Sequence, residues 1–168
     1  MSVNISRQEY PYPHWEYLDV DRKQRLRIVP DRGGLITQWS VNEREILYFD
    51  LERFNQKDLT VRGGIPILFP ICGDLPGNSL KFNNCEYFLS QHGFARDYPW
   101  ELSIPENRSC VRLTLNSNDE TKEKYPYSFA IDLDILLGKN SINISINIIN
   151  KDEVLMPFSF GLHPYFNV

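Results

Sequence analysis

The chain has 168 residues, of which 42% are hydrophobic and 24% charged, with a net charge of −4. These values fit one globular domain over residues 1–168 and exclude a disordered or fibrous chain. The acidic balance, with Lys and Arg scattered among acids, excludes a polyanion-binding face, so no nucleic acid partner is expected. No apolar run approaches the roughly 20 residues that span a bilayer, so no membrane partner is expected either.

In chain order, alternating apolar runs bounded by Gly, Pro, Asn or Asp predict strands at Arg25–Val29, Leu35–Val41 and Glu45–Phe49. The charged stretch Leu51–Thr60 and the Gly-, Pro- and Asn-rich stretch Ile71–Leu80 predict loops. Further strands are expected at Trp100–Ile104 and Val111–Leu115. The strongest signal follows: Phe129, Ile131, Leu133, Ile135 and Leu137 fall on one face, with Asp132 and Asp134 on the other. After the turn residues Gly138–Ser141, Ile142, Ile144, Ile146 and Ile148 alternate with Asn143, Ser145, Asn147 and Ile149, which predicts a hairpin. No sustained helical stripe is visible. The expected fold class is therefore all-β, an antiparallel β-sandwich. The uncharged Ser141–Asn150 strand is prone to pair if its edge stays open, so self-association through open sheet edges is expected.

Met1–Arg7 lacks the apolar stretch of a signal peptide, and a cytoplasmic setting is expected. Cys72, Cys85 and Cys110 show no Cys-x-x-Cys spacing, so they read as reduced structural thiols and not as zinc ligands. Asn-x-Ser sequons at Asn4, Asn107 and Asn143 carry no message without secretion. The chain stops at Leu162-His-Pro-Tyr-Phe-Asn-Val168 straight after an aromatic-rich segment, and this abrupt stop predicts a fold truncated at its C-terminal side.

Two histidines stand in distinctive company: His92 in Gln91-His-Gly-Phe-Ala-Arg-Asp97, and His163 in Phe160-Gly-Leu-His-Pro-Tyr-Phe166. Histidine exchanges protons near neutrality, which suits acid–base work, although a His beside aromatics is by itself more often a packing residue. A third segment, Val61-Arg-Gly-Gly-Ile-Pro-Ile-Leu-Phe-Pro70, sets a cation before two glycines that permit close backbone approach.

Arg62-Gly-Gly-Ile-Pro66 with Phe69-Pro70 and Gly73, then His92-Gly-Phe-Ala-Arg96 with Trp100, then Leu162-His-Pro-Tyr-Phe166, resemble in order and spacing the aldose 1-epimerase family, in its hexose-6-phosphate mutarotase branch. The resemblance runs from Arg32-Gly-Gly34 to the last residue. It implies a galactose mutarotase-like supersandwich that interconverts the α and β anomers of an aldose or hexose phosphate, with no cofactor and no metal. It makes His163 the general acid at the ring oxygen, His92 a hydrogen-bonding stabiliser of the developing charge, and Arg62 a substrate-binding residue. Arg96, Asp97, Trp100 and Tyr165 lie close to the motifs and join the expected substrate contacts, Arg96 as a phosphate ligand or as the partner of a nearby acid. The family's general base is a glutamate well beyond the second His motif, in a part of the sandwich this chain does not contain. Of the local acids, Asp74, Asp97 and Glu101, none is expected to replace it. The chain alone is expected to be weak or inactive, and the alternative is a non-catalytic carbohydrate-binding module or a degenerate truncated product.

Overall fold

A computed structural model describes residues 3–106 and 110–168; the sequon at Asn107 lies outside the described residues. Strands β1 (Val3–Gln8), β2 (His14–Asp19), β3 (Gln24–Val29), β4 (Leu35–Val41) and β5 (Arg44–Glu45) form a five-stranded antiparallel sheet in chain order. A helical turn, α1 (Leu51–Phe54), precedes β6 (Ile67–Leu68), and β7 (Ser79–Phe82) pairs with β8 (Cys85–Phe88) in a hairpin. Then come β9 (Glu101–Ser103), β10 (Val111–Asn116), α2 (Asp119–Lys124), β11 (Phe129–Gly138), β12 (Ser141–Asn150) and β13 (Gly161–Leu162). The second large sheet runs β12-β11-β10-β9, and β13 pairs with β6.

Alternation explains why these strands form. Phe129, Ile131, Leu133, Ile135 and Leu137 of β11 are each at most 1% exposed, and burying such side chains stabilises the fold by roughly 1.5–3 kcal/mol apiece. They share one apolar cluster with Val111, Leu113 and Leu115 of β10 and with Tyr17, Leu26, Ile28 and Ile36 of the first sheet. On the opposite face of β11, Asp134 accepts two hydrogen bonds from Arg112, at 2.6 and 2.8 Å, and Asp132 accepts one from Thr114 at 2.7 Å. The two sheets are also tied by polar contacts: Gln24 Nε2 donates to Gly138 O at 2.6 Å, and Arg22 Nη1 to Leu137 O at 2.9 Å. The all-β antiparallel sandwich expected from the sequence is the observed architecture.

Several boundaries differ from the expectation. Of the Glu45–Phe49 run only Glu45 joins the sheet, in the two-residue strand Arg44–Glu45; Leu47 and Phe49 make isolated bridges to Phe166 and Gly63. The Leu51–Thr60 stretch opens with helical turn α1, where the Asp50 carboxylate accepts the Arg53 N–H at 2.9 Å. The end of Ile71–Leu80 is the start of β7. Helix α2 is held by an Asn118 cap whose side chain accepts the Thr121 N–H.

Candidate functional site

The stretch 61–70 is the hub of the site, because it pairs in turn with both histidine segments. Gly63 bridges to Phe49 and Ile65 to Ile36; Ile67 and Leu68 pair with Leu162 and Gly161; Phe69 bridges to Gly93. Ile65, Ile67, Leu68 and Phe69 are all buried, so the apolar run anchors the stretch while its neighbours reach outward. Gly63 has φ +112° and sits so close to Tyr48 and Phe49 that a Cβ would lie 2.5 Å from Phe49 Cα and Tyr48 O. The close approach expected of this glycine is present.

His163 is placed by backbone bonds on both sides: its N–H donates to Pro66 O at 3.0 Å, and the Tyr165 N–H donates to Gly64 O at 3.0 Å. Its ring lies 4.9 Å from the Tyr165 ring, tilted at 34°. His92 approaches from the other motif. Its N–H donates to Gly73 O at 3.0 Å, and Phe94 and Ala95 donate to Phe69 O at 2.9 and 3.1 Å. At Gly93, with φ +70°, a Cβ would stand 2.2 Å from Phe69 O, so no other residue fits this crossing. His92 itself has φ +72°, a left-handed conformation that costs a non-glycine residue on the order of 1 kcal/mol.

The two imidazole rings end 6.0 Å apart, inclined at 60°. His92 Nδ1 hydrogen-bonds the Cys72 carbonyl. A carbonyl only accepts, so Nδ1 carries the proton and the neutral ring keeps Nε2 as an acceptor; protonation turns Nε2 into a donor.

Both histidines line a cleft of about 570 Å³, within the range of small-molecule sites. Its cations are Arg32, Lys57, Arg62 and Arg96, and its acids are Asp58 and Asp97. The cleft is therefore locally cationic on a chain whose net charge is −4. Arg32 is braced, with its guanidinium 4.6 Å above the Phe54 ring and Nη1 donating to Phe54 O at 2.8 Å. Arg96 Nη2 donates to Gln91 O at 3.0 Å, and its Nε lies 4.0 Å from Asp97 Oδ1. Burial of its carboxyl raises the pKa of Asp97, against the lowering pull of Arg96, Lys124 and Arg32. Its side chain is nonetheless 62% exposed, so water screens this effect.

Of the residues expected at the site, His92, His163, Arg62, Arg96, Asp97 and Tyr165 line the cleft. Trp100 does not. It is 3% exposed in the apolar core, and its indole N–H donates to Ala95 O at 2.8 Å, so it supports the His92 segment from behind. Among the local acids, Asp74 and Glu101 lie outside the cleft lining. Arg32, Lys57 and Asp58 join the cleft without having been singled out as site residues. For Arg32 a signal existed, since Arg32-Gly-Gly34 repeats Arg62-Gly-Gly64; Lys57 and Asp58 lie in a charged stretch with no pattern of its own.

The aldose 1-epimerase family model matches residues 18–168. The chain is 31% identical over 148 residues to a Cenchrus ciliaris protein named "Putative glucose-6-phosphate 1-epimerase", covering 81% of this chain and 42% of that protein. It is 31% identical over 162 residues to the plasmid LacX protein of Lactococcus lactis, covering 90% and 48%. The chain thus spans about half the length of the curated relatives it matches. Among solved structures, the Slr1438 protein of Synechocystis aligns with a TM-score of 0.87 at 45% identity, over 91% of this chain and 54% of that one. A galactose mutarotase related enzyme from Lactobacillus acidophilus aligns with a TM-score of 0.77 at 26% identity, over 91% and 49%.

Proposed function

Because the chain belongs to the aldose 1-epimerase family, we propose that it forms the acid-bearing wall of a mutarotase site that interconverts the anomers of a hexose 6-phosphate or hexose. The observation that supports this reading is the convergence of His92 and His163, from separate motifs, on one cationic cleft. In this reading His163 protonates the ring oxygen while a carboxylate takes the anomeric hydroxyl proton. The C1–O5 bond opens, the aldehyde turns, and ring closure from the other face returns both protons. His92, tethered by Cys72, accepts a sugar hydroxyl in its neutral form or donates to developing negative charge when protonated. Tyr165, stacked beside His163, offers its ring to the sugar.

The same resemblance assigns the base to a glutamate beyond the His163 motif. The acids that line the described cleft, Asp58 and Asp97, differ from it in setting: Asp97 is paired with Arg96, and Asp58 lies on the exposed stretch after α1. The 168-residue chain is therefore expected to bind sugar with little acceleration of its own, since loss of a positioned proton-transfer group costs roughly 10²–10⁴ in rate. Arg32, Lys57, Arg62 and Arg96 favour a phosphorylated substrate, because guanidinium and ammonium groups match a phosphate dianion. A sugar phosphate also suits the cytoplasmic setting expected from the sequence.

Calorimetric titration tests the substrate class. Glucose 6-phosphate is expected to bind at least about tenfold tighter than glucose in dilute buffer, with the gap narrowing as salt screens the cleft. Equal affinities at every salt concentration would contradict a phosphorylated substrate, and binding of neither sugar would contradict the site.

A further inference from the structure

The segment that carries His163 runs antiparallel along the 61–70 hub. Tyr165 N–H donates to Gly64 O and His163 N–H to Pro66 O, Leu162 and Gly161 pair with Ile67 and Leu68, and Ser159 N–H donates to Pro70 O at 2.8 Å. Beyond Pro70 a side chain takes over from the backbone: Cys72 N–H donates to Ser159 Oγ at 2.9 Å. Ser159 therefore holds the hub strand on either side of Ile71. Gly161 lets this contact close, because a Cβ there would stand 2.9 Å from Cys72 Sγ.

The same short stretch of backbone holds His92. Cys72 O accepts the hydrogen bond from His92 Nδ1, and Gly73 O accepts the His92 N–H at 3.0 Å. Cys72 thus spends its N–H on Ser159 and its C=O on His92. Where the 71–72 peptide is held decides how the next carbonyl is aimed, and that carbonyl is the one His92 uses.

We propose that Ser159 is a positioning residue for His92: by fixing Cys72 it keeps Cys72 O against Nδ1–H, which holds the neutral imidazole in the Nδ1–H tautomer with Nε2 as its acceptor nitrogen. The effect on sugar binding rests on the reading of His92 as a sugar contact; the hydrogen-bonded chain itself does not. Which nitrogen of a neutral histidine carries the proton is set by the hydrogen bond the ring makes. Without Ser159 Oγ the Cys72 N–H turns to water, the carbonyl beyond it gains freedom, and the Nε2–H tautomer competes. That form would offer a sugar hydroxyl a donor where the other offers an acceptor. Ser159 lies outside the cleft lining, so it acts through His92 and not on the sugar. It is also exposed, so packing does not account for its place in the chain of bonds. Through it the segment leading into His163 sets the ring of His92, and the two imidazoles, 6.0 Å apart, are placed together.

Long-range proton–nitrogen NMR of the imidazoles in alkaline buffer, where they are neutral, reads the tautomer directly. The chain has three histidines, and the His92 signals are those lost in His92→Asn. Wild type is expected to show His92 in the Nδ1–H form. Ser159→Ala should admit the Nε2–H form and weaken glucose 6-phosphate binding roughly threefold to tenfold by calorimetry, with little change in melting temperature. Ser159→Thr, which keeps the hydroxyl, should restore both. Should the alanine variant not fold, Ser159→Thr and Ser159→Val, alike in shape, make the same comparison, with the valine protein expected to admit the Nε2–H form. A hydroxyl-free variant whose His92 stays wholly in the Nδ1–H form would overturn the proposal, and so would a loss of affinity that Ser159→Thr does not repair. A tautomer that shifts as expected in a chain whose wild type binds no sugar phosphate would support the positioning role and contradict the mutarotase reading, so the two fail separately.

Discussion

His92 carries two constraints at once: its backbone lies at φ +72°, and its Nδ1–H is committed to Cys72 O. Asparagine tolerates the left-handed conformation but lacks the ring. His92→Asn is therefore expected to fold with a melting temperature close to wild type while its affinity for glucose 6-phosphate falls several-fold; calorimetry alongside a thermal melt separates the two effects. Trp100 makes the opposite prediction. As a core residue bonded to Ala95 O, its replacement in Trp100→Phe should cost about 1–3 kcal/mol of stability by denaturant unfolding, with the sugar affinity of the folded fraction unchanged. Both histidines and Arg62 were legible from motifs. The position of Trp100 was not, because proximity in sequence does not say which face of the chain a side chain takes.

At the scale of elements, the site depends on how closely three segments cross. Gly93→Ala would drive a methyl group onto Phe69 O, and a loss of about 1–3 kcal/mol is expected from unfolding curves; unchanged stability would mean that the His92 and 61–70 segments are not locked together. Asp152 secures the end of the long hairpin by accepting the Ser128 N–H at 2.5 Å, and that bond lowers its pKa below the ordinary 3.8. A lowered carboxylate contributes stability above its unfolded value and loses it as pH falls through the folded one. Asp152→Asn should therefore show a smaller drop in melting temperature than wild type between about pH 5 and about pH 3; parallel curves would contradict this. The long strand β11 was legible because one face, from Phe129 to Leu137, is buried along its whole length. The two-residue strands β6 and β13 were not, since only long-range pairing creates them. The β7–β8 hairpin escaped because its residues are exposed or half-buried and leave no alternation to read.

For the whole molecule, two sheets share one apolar cluster, and the cleft opens where the 61–70 hub meets both histidine segments. The fold class followed from periodicity alone, whereas the cleft did not, because it is assembled from loops whose partners are distant in sequence. Polarimetry of freshly dissolved α-D-glucose and glucose 6-phosphate reads the roles of His163 and of the base directly. It would compare this chain, its His163→Asn variant, and a longer protein carrying the glutamate that the family resemblance places beyond His163. Little acceleration is expected from the 168-residue chain, rapid equilibration from the longer protein, and a loss of roughly 10²–10⁴ in that rate when His163 becomes Asn. An unchanged rate in the His163→Asn protein would contradict the assignment of the acid, and full acceleration by the 168-residue chain would contradict the placement of the base.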